Sequence, residues 1–209
     1  GVPTVYGPLA QGLLALLARS PAKASLTSIK AMAGAFDLVA VGALWTLGLT
    51  TGAGTLPALA YALHPLAVIE TAGEGHLDGT AVALLLTALA LIARGRGRPG
   101  AVLYGAAALV KITPLAAAPA LIRSLGRVGA SLALLTLAIG YAPFHRSGGP
   151  FRGLVTYARR WEANGVLYPD LVRLLDRTNA ARHAKEAFAG AKAMLGHPAL
   201  LDRFWGLFY

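Results

Sequence analysis

Between Ala31 and Leu49 the chain carries one charged side chain, Asp37, and between Ala101 and Ile122 again only one, Lys111. Apolar runs of that length match the ~20 residues an α-helix needs to cross a bilayer. In lipid the backbone must satisfy its own hydrogen bonds, which leaves a chain like this one little choice but helices. The sequence as a whole agrees: of 209 residues 56% are hydrophobic and 13% charged. A soluble domain would need a far more polar surface. The expected fold class is therefore all-α, a polytopic membrane helical bundle. Residues 1–144 read as its transmembrane helical core, and 145–209 as an extracytoplasmic loop followed by amphipathic helices.

The net charge of +10 raises the question of nucleic acid, but the cations form no stripe with interleaved aromatics. They punctuate the apolar runs instead: Arg19, Lys23 and Lys30, then Arg94, Arg96 and Arg98, then Arg123 and Arg127. That is the pattern of cytoplasmic loops under the positive-inside bias. The absence of cysteine excludes disulfides and thiolate metal sites.

Counting crossings exposes a conflict. If the loops at Arg19–Lys30 and Arg94–Arg98 share a side, an even number of crossings must separate them, yet three apolar segments intervene. One segment lies between Arg94–Arg98 and Arg123–Arg127. Both conflicts vanish if the segments broken by Pro65 and Pro114 enter the bilayer and return. Such backbone is tolerated where protein buries it or a cavity receives it. The sequence thus predicts two re-entrant or short-helix elements. The alternative is that one basic loop violates the bias.

The stretch from Glu70 to Asp78 holds Glu70, Glu74, His76 and Asp78, and no further carboxylate occurs until Glu162. Charge gathered between hydrophobic segments points to function. Asp78 precedes an apolar helical run, where an aspartate also caps backbone donors. A carboxylate here can act as general base toward a hydroxyl, with His76 donating to a phosphate or sugar oxygen. The group can instead bind a hard divalent cation through oxygens, although no ligand spacing is diagnostic of a metal. Lys111, beside Pro114, reads as a buried cation facing the acids or an anionic substrate. Asp37 reads as structural, paired with a cation on another helix.

His145 to Pro169 is polar and aromatic. By the crossing count it shares the outer side with the acidic cluster, against the charge bias. Arg159 and Arg160 can fork onto a phosphate, Trp161 can stack on a sugar or lipid, and Asn164 lies beside them. A plain interfacial segment would look similar. Helices are expected over Asp170–Arg177 and Ala180–Leu195, and the aromatic end Phe204–Tyr209 suits a membrane interface.

Four stretches, in order, carry a resemblance. They are Thr4-Val5-Tyr6-Gly7-Pro8-Leu9-Ala10-Gln11; His64-Pro65-Leu66-Ala67-Val68-Ile69-Glu70 with Gly75-His76-Leu77-Asp78; Val110-Lys111-Ile112-Thr113-Pro114-Leu115; and Tyr157-Ala158-Arg159-Arg160-Trp161-Glu162-Ala163-Asn164. Together they resemble motifs of bacterial polyprenyl-phosphate-mannose-dependent mannosyltransferase-like proteins, polytopic glycosyltransferases of superfamily C. Gly7 stands where that family has a proline, a change expected to be harmless. The family's first outer loop, with its acidic base, has no counterpart here, nor do its C-terminal spans, so an internal fragment is expected. In that case Glu70 and Asp78 bind donor or acceptor rather than act as the base.

The resemblance implies transfer of a hexose, mannose above others, from a polyprenyl-phosphate donor to a glycan or lipid acceptor on the outer side of the membrane. No nucleic acid partner is implied. Asp78, His76 and Glu70 are then the catalytic candidates. Glu74, Lys111, Arg159, Arg160, Trp161 and Asn164 are the substrate-binding ones. Two rival readings stay open at this point: a transporter or transporter subunit with an intramembrane relay, and an inactive remnant of a transferase.

Overall fold

Proline and glycine set the helix boundaries. The computed structural model describes residues 4–20 and 25–144, with isolated positions 153, 155, 156, 173, 174, 177–179, 183 and 186 beyond them. The chain divides into two units, Thr4–Pro150 and Gly1–Pro3 with Phe151–Tyr209. The helices described between Pro8 and Tyr141 belong to the first, and no strand occurs among the described residues.

Helix α1 (Pro8–Arg19) starts on a proline, which loses nothing by lacking an N–H in the first turn. Helix α2 (Leu26–Thr51) is capped by Ser25, whose side chain accepts the Ser28 N–H at 3.1 Å, and it stops at Gly52 in the left-handed conformation. The Pro65 segment is three short pieces: α3 (Leu56–Ala62), α4 (Pro65–Val68) and a π-helical turn, Ile69–Gly73. His64 is extended, as the residue before a proline prefers. Helices α5 (Asp78–Ala93) and α6 (Gly97–Val110) follow, then a 3-10 turn at Thr113–Ala117 and α7 (Ala118–Tyr141). Among the described residues two helical stretches, Leu26–Thr51 and Thr113–Phe144, have the length and composition to cross a membrane, the second being interrupted at Gly126. The Pro65–Gly73 and Asp78–Ala93 pair, bent by 119°, makes a third if counted as one span.

Packing is inverted relative to a soluble protein. Most buried positions are small, among them Ala33, Ala40, Ala83, Ala88, Ala101 and Ala107, whereas Leu38 is 74% and Leu63 79% exposed. Lipid gives large apolar side chains no reason to turn inward, so helices close on small residues instead. Gly105 lies so near Ala133 and Thr136 that a Cβ there would come within 2.8 Å of both.

These close approaches fix the course of the chain. A Cβ on Gly75 would lie 3.3 Å from side-chain atoms of Ile29 and Lys30. Farther along, Val39, Ala43 and Thr46 share a groove with Thr87, Ala90 and Arg94. Helices α2 and α5 therefore run in the same direction. Between them the Pro65 segment climbs back along α2: Tyr61 reaches Asp37, and Ala67, Val68 and Ala72 line a groove with Gly34 and Asp37. Helix α6 runs opposite to α5, with Gly100 against Ala88 and Ile92. The second half of α7 follows the direction of α6, pairing Gly129 with Ala101, Gly105 with Ala133, and Gly140 with Leu109.

For α7 to begin again beside Ala101, residues 111–125 must return from the far end of α6. They do so in contact with it: Leu115, Ala118, Leu121 and Leu125 pack into a cluster with Ala88, Tyr104 and Ala133. The reversal falls at Gly126, whose φ of 62° and ψ of −177° define a conformation essentially restricted to glycine. The expectation for the Pro114 segment holds in this respect, and Arg94–Arg98 and Arg123–Arg127 share one end of the bundle.

The Pro65 segment is the expected short-helix element, α3, α4 and the π turn, bent by 119° from α5, but the shared side it was to explain is not seen. Lys30 lies beside Gly75 and Arg94 beside Thr46, so these two basic stretches lie at opposite ends of α2. Pro65 interrupts the helix without reversing it, because His64 N–H still bonds the Tyr61 carbonyl at 3.1 Å and Val68 N–H the His64 carbonyl at 3.2 Å. Single replacements Ser25→Cys and Arg96→Cys in this cysteine-free chain should take up a membrane-impermeant maleimide from opposite sides. Labelling of both from one side would reinstate the even crossing count.

Candidate active site

The turn after α4 is wide because its hydrogen bonds skip a residue. Glu74 N–H bonds the Ile69 carbonyl at 2.8 Å, and His76 N–H bonds the Glu70 carbonyl at 3.0 Å. Such π-type turns recur at functional sites. This one folds Glu70 and His76 onto each other, with His76 Nδ1 2.6 Å from Glu70 Oε2. A carboxylate can only accept, so Nδ1 donates to Glu70 and Nε2 is the nitrogen left outside the pair. Both side chains are about half exposed, 50% and 45%, so the pair is accessible to a substrate.

Asp78 stands at the first position of α5 and Lys111 just past the last residue of α6. Each charge sits at the helix end whose dipole favours it. The Lys111 ammonium donates to Asp78 Oδ1, closing an ion pair between residues 33 apart. Of the two readings of Asp78, the cap does not form: Leu77 is the capping residue and makes no side-chain cap bond. Lys111 claims the carboxylate instead.

A third element joins the two pairs. Gly7 N–H bonds the Val110 carbonyl at 2.8 Å, which ties residues 4–7 to the end of α6. Here the glycine matters. A proline has no N–H to give, and a Cβ at this position would lie 2.3 Å from the Leu109 carbonyl oxygen. The Tyr6 hydroxyl accepts the Leu77 N–H at 3.4 Å. Burial raises the Tyr6 phenol above its usual value, and the charge of Asp78 raises it further. Tyr6 therefore keeps its proton and remains a donor. Reading residues one at a time passed over Tyr6; the signal was its place in the Thr4–Gln11 stretch.

Residues 4–202 match the model of glycosyltransferase family 87. The chain belongs to glycosyltransferase family 87. No curated protein and no solved structure matches it. Family membership and the apolar helices make it a membrane-embedded glycosyltransferase that handles a sugar donor and an acceptor.

In this family 87 chain, three of the four motif stretches meet at one end of the bundle. Of the expected site residues, Glu70, His76, Asp78 and Lys111 come together as two pairs. Glu74 is exposed in the turn between them. Arg159, Arg160, Trp161 and Asn164 lie outside the described residues, as do most of the helices expected after Pro169. Lys30, read from sequence as part of a distant loop, backs onto Gly75. Asp37 does not meet a cation as expected: its carboxylate receives the hydroxyls of Tyr61, at 2.8 Å, and Thr71. Among the described residues no group of three or more His, Asp or Glu side chains is placed to hold a metal ion.

Proposed function

We propose that this family 87 protein transfers a hexose, mannose by its resemblance, from a polyprenyl-phosphate donor to a hydroxyl of a glycan or lipid acceptor on the extracytoplasmic face. The observation that carries the reading is the meeting of an imidazole–carboxylate pair and a lysine–carboxylate pair at one end of the bundle. The acceptor oxygen attacks the anomeric carbon, forming the new glycosidic bond. The bond from that carbon to the phosphate oxygen breaks, and the lipid phosphate departs with the electron pair. The acceptor proton passes to His76 Nε2, while Glu70 holds Nδ1–H and steadies the imidazolium. Lys111, with Lys30 nearby, supplies positive charge for the departing phosphate, the term that usually dominates such a rate. Asp78 is already neutralised by Lys111, so it serves to hold the lysine rather than to take a proton.

The charge distribution supports the outer face. Arg94, Arg96, Arg98, Arg123 and Arg127 cluster at the end opposite the two pairs, which the positive-inside bias favours as the cytoplasmic end, against Lys30 alone beside the acidic turn. The test is a transfer assay in proteoliposomes with radiolabelled polyprenyl-phosphate mannose, and GDP-mannose in parallel. Label should move to acceptor from the lipid-linked sugar alone. Transfer from the nucleotide sugar alone would overturn the donor class.

A further inference from the structure

Asp37 lies in α2, outside both pairs, yet it touches the neighbours of each. Its Oδ1 accepts the Tyr61 hydroxyl at 2.8 Å, and its Oδ2 meets the hydroxyl of Thr71. Thr71 follows Glu70 directly and is 4% exposed. Its hydroxyl also faces the Ala67 carbonyl at 2.6 Å, which locks the side chain between α2 and the start of the π turn. On the other side, Gly79 follows Asp78 directly. A Cβ at Gly79 would lie 2.8 Å from Asp37 Oδ1 and 2.7 Å from Thr71 Cγ2. One carboxylate therefore abuts residue 71, beside Glu70, and residue 79, beside Asp78.

We infer that Asp37 is a positioning residue for transfer: through Thr71 it sets the π turn that presses Glu70 against His76. Against Gly79 it sets how far that pair stands from Asp78 and Lys111. An ionisable group inside a spanning helix is costly to place, and here its contacts go to hydroxyls on the elements that build the site. Glycine at position 79 is what allows the carboxylate to come this close. The inference rests on Glu70 and His76 being the reacting pair of the proposed function.

The test is a double-mutant cycle, which isolates coupling between two positions. Asp37→Ala should lower kcat about tenfold to a hundredfold, the cost of roughly an ångström of misplacement, and move the donor KM little. Asp37→Asn, which keeps the shape and one acceptor oxygen, should recover most of the rate. In a Glu70→Gln background Asp37→Ala should cost little more, because the geometry it protects is already useless. Losses that multiply in the double variant, or full activity in Asp37→Ala, would overturn the inference.

A second readout needs no turnover. The chain has no cysteine, so Glu70→Cys with His76→Cys introduces a single oxidisable pair. Its disulfide should form several-fold faster with Asp37 in place than in the Asp37→Ala background, and equal rates would also overturn the inference. Full transfer by Glu70→Gln alone would instead defeat the assignment of the pair, and the disulfide rates would still judge what Asp37 does to the turn.

Discussion

Glu70→Gln is expected to lower the rate of sugar transfer by two orders of magnitude or more, with the donor KM nearly unchanged. The amide keeps the size and planarity of the carboxylate, and the turn around it is held by backbone bonds, Glu74 N–H to Ile69 and His76 N–H to Glu70. What it loses is the negative charge opposite His76 Nδ1. A neutral amide can present its NH2 to that nitrogen and reverse the tautomer, which leaves Nε2 protonated and unable to accept. General-base assistance contributes about 10²–10⁴-fold, and losing the correct tautomer forfeits most of it. His76→Ala should cost about as much, and the double variant little more, since groups acting as a unit are not additive. Initial rates at saturating donor decide the matter. A Glu70→Gln variant within threefold of the parent would remove this pair from the mechanism.

Lys111→Met is the second large effect. In the proposed transfer it removes a cation that stabilises the departing phosphate, and losing one such group typically costs about 10²–10³ in kcat. It also leaves Asp78 without its partner. The two side chains remain 34% and 43% exposed, and pairs that open to solvent add ~1 kcal/mol or less to stability. The melting temperature in detergent should therefore fall by only a few degrees while transfer collapses. Lys111→Met combined with Asp78→Asn separates the two roles, because it restores charge balance without restoring the cation. Continued inactivity of that double variant is the expected result. Recovery of transfer would mean that Lys111 serves only to neutralise Asp78.

Much of the helical framework is legible in the residues. Pro8, Pro65 and Pro114 sit where helices begin or break, and Gly52 where α2 stops, since each rule depends on a few neighbouring backbone groups. The importance of the Glu70–Asp78 stretch and of Lys111 was likewise visible, because charge between apolar segments stands out locally. One detail was left open by local rules, and one went the other way. Asp78 could cap α5, a bond within one turn of chain, or serve the site; it is held by Lys111, the cation read as facing the acids, 33 residues away. Asp37 was expected to find a cation and found hydroxyls of Tyr61 and Thr71, whose approach depends on how the broken Pro65 segment lies along α2.

By itself, the sequence determined that this is a helical membrane protein, where its helices break, which polar cluster to examine, and its glycosyltransferase kinship. Only the tertiary structure decided the direction of each pass and so which residues meet. It placed Lys30 beside the acidic turn, carried Tyr6 to Leu77, paired Lys111 with Asp78, and set the two basic stretches at opposite ends. The reason is physical. Hydropathy and proline act through solvation and hydrogen bonding over a single turn of helix, and neither depends on which way a segment runs. Direction is settled by where backbones can touch, at contacts such as Gly75 on Lys30, Gly79 on Asp37 and Gly105 on Ala133, and those contacts exist only once the helices are packed.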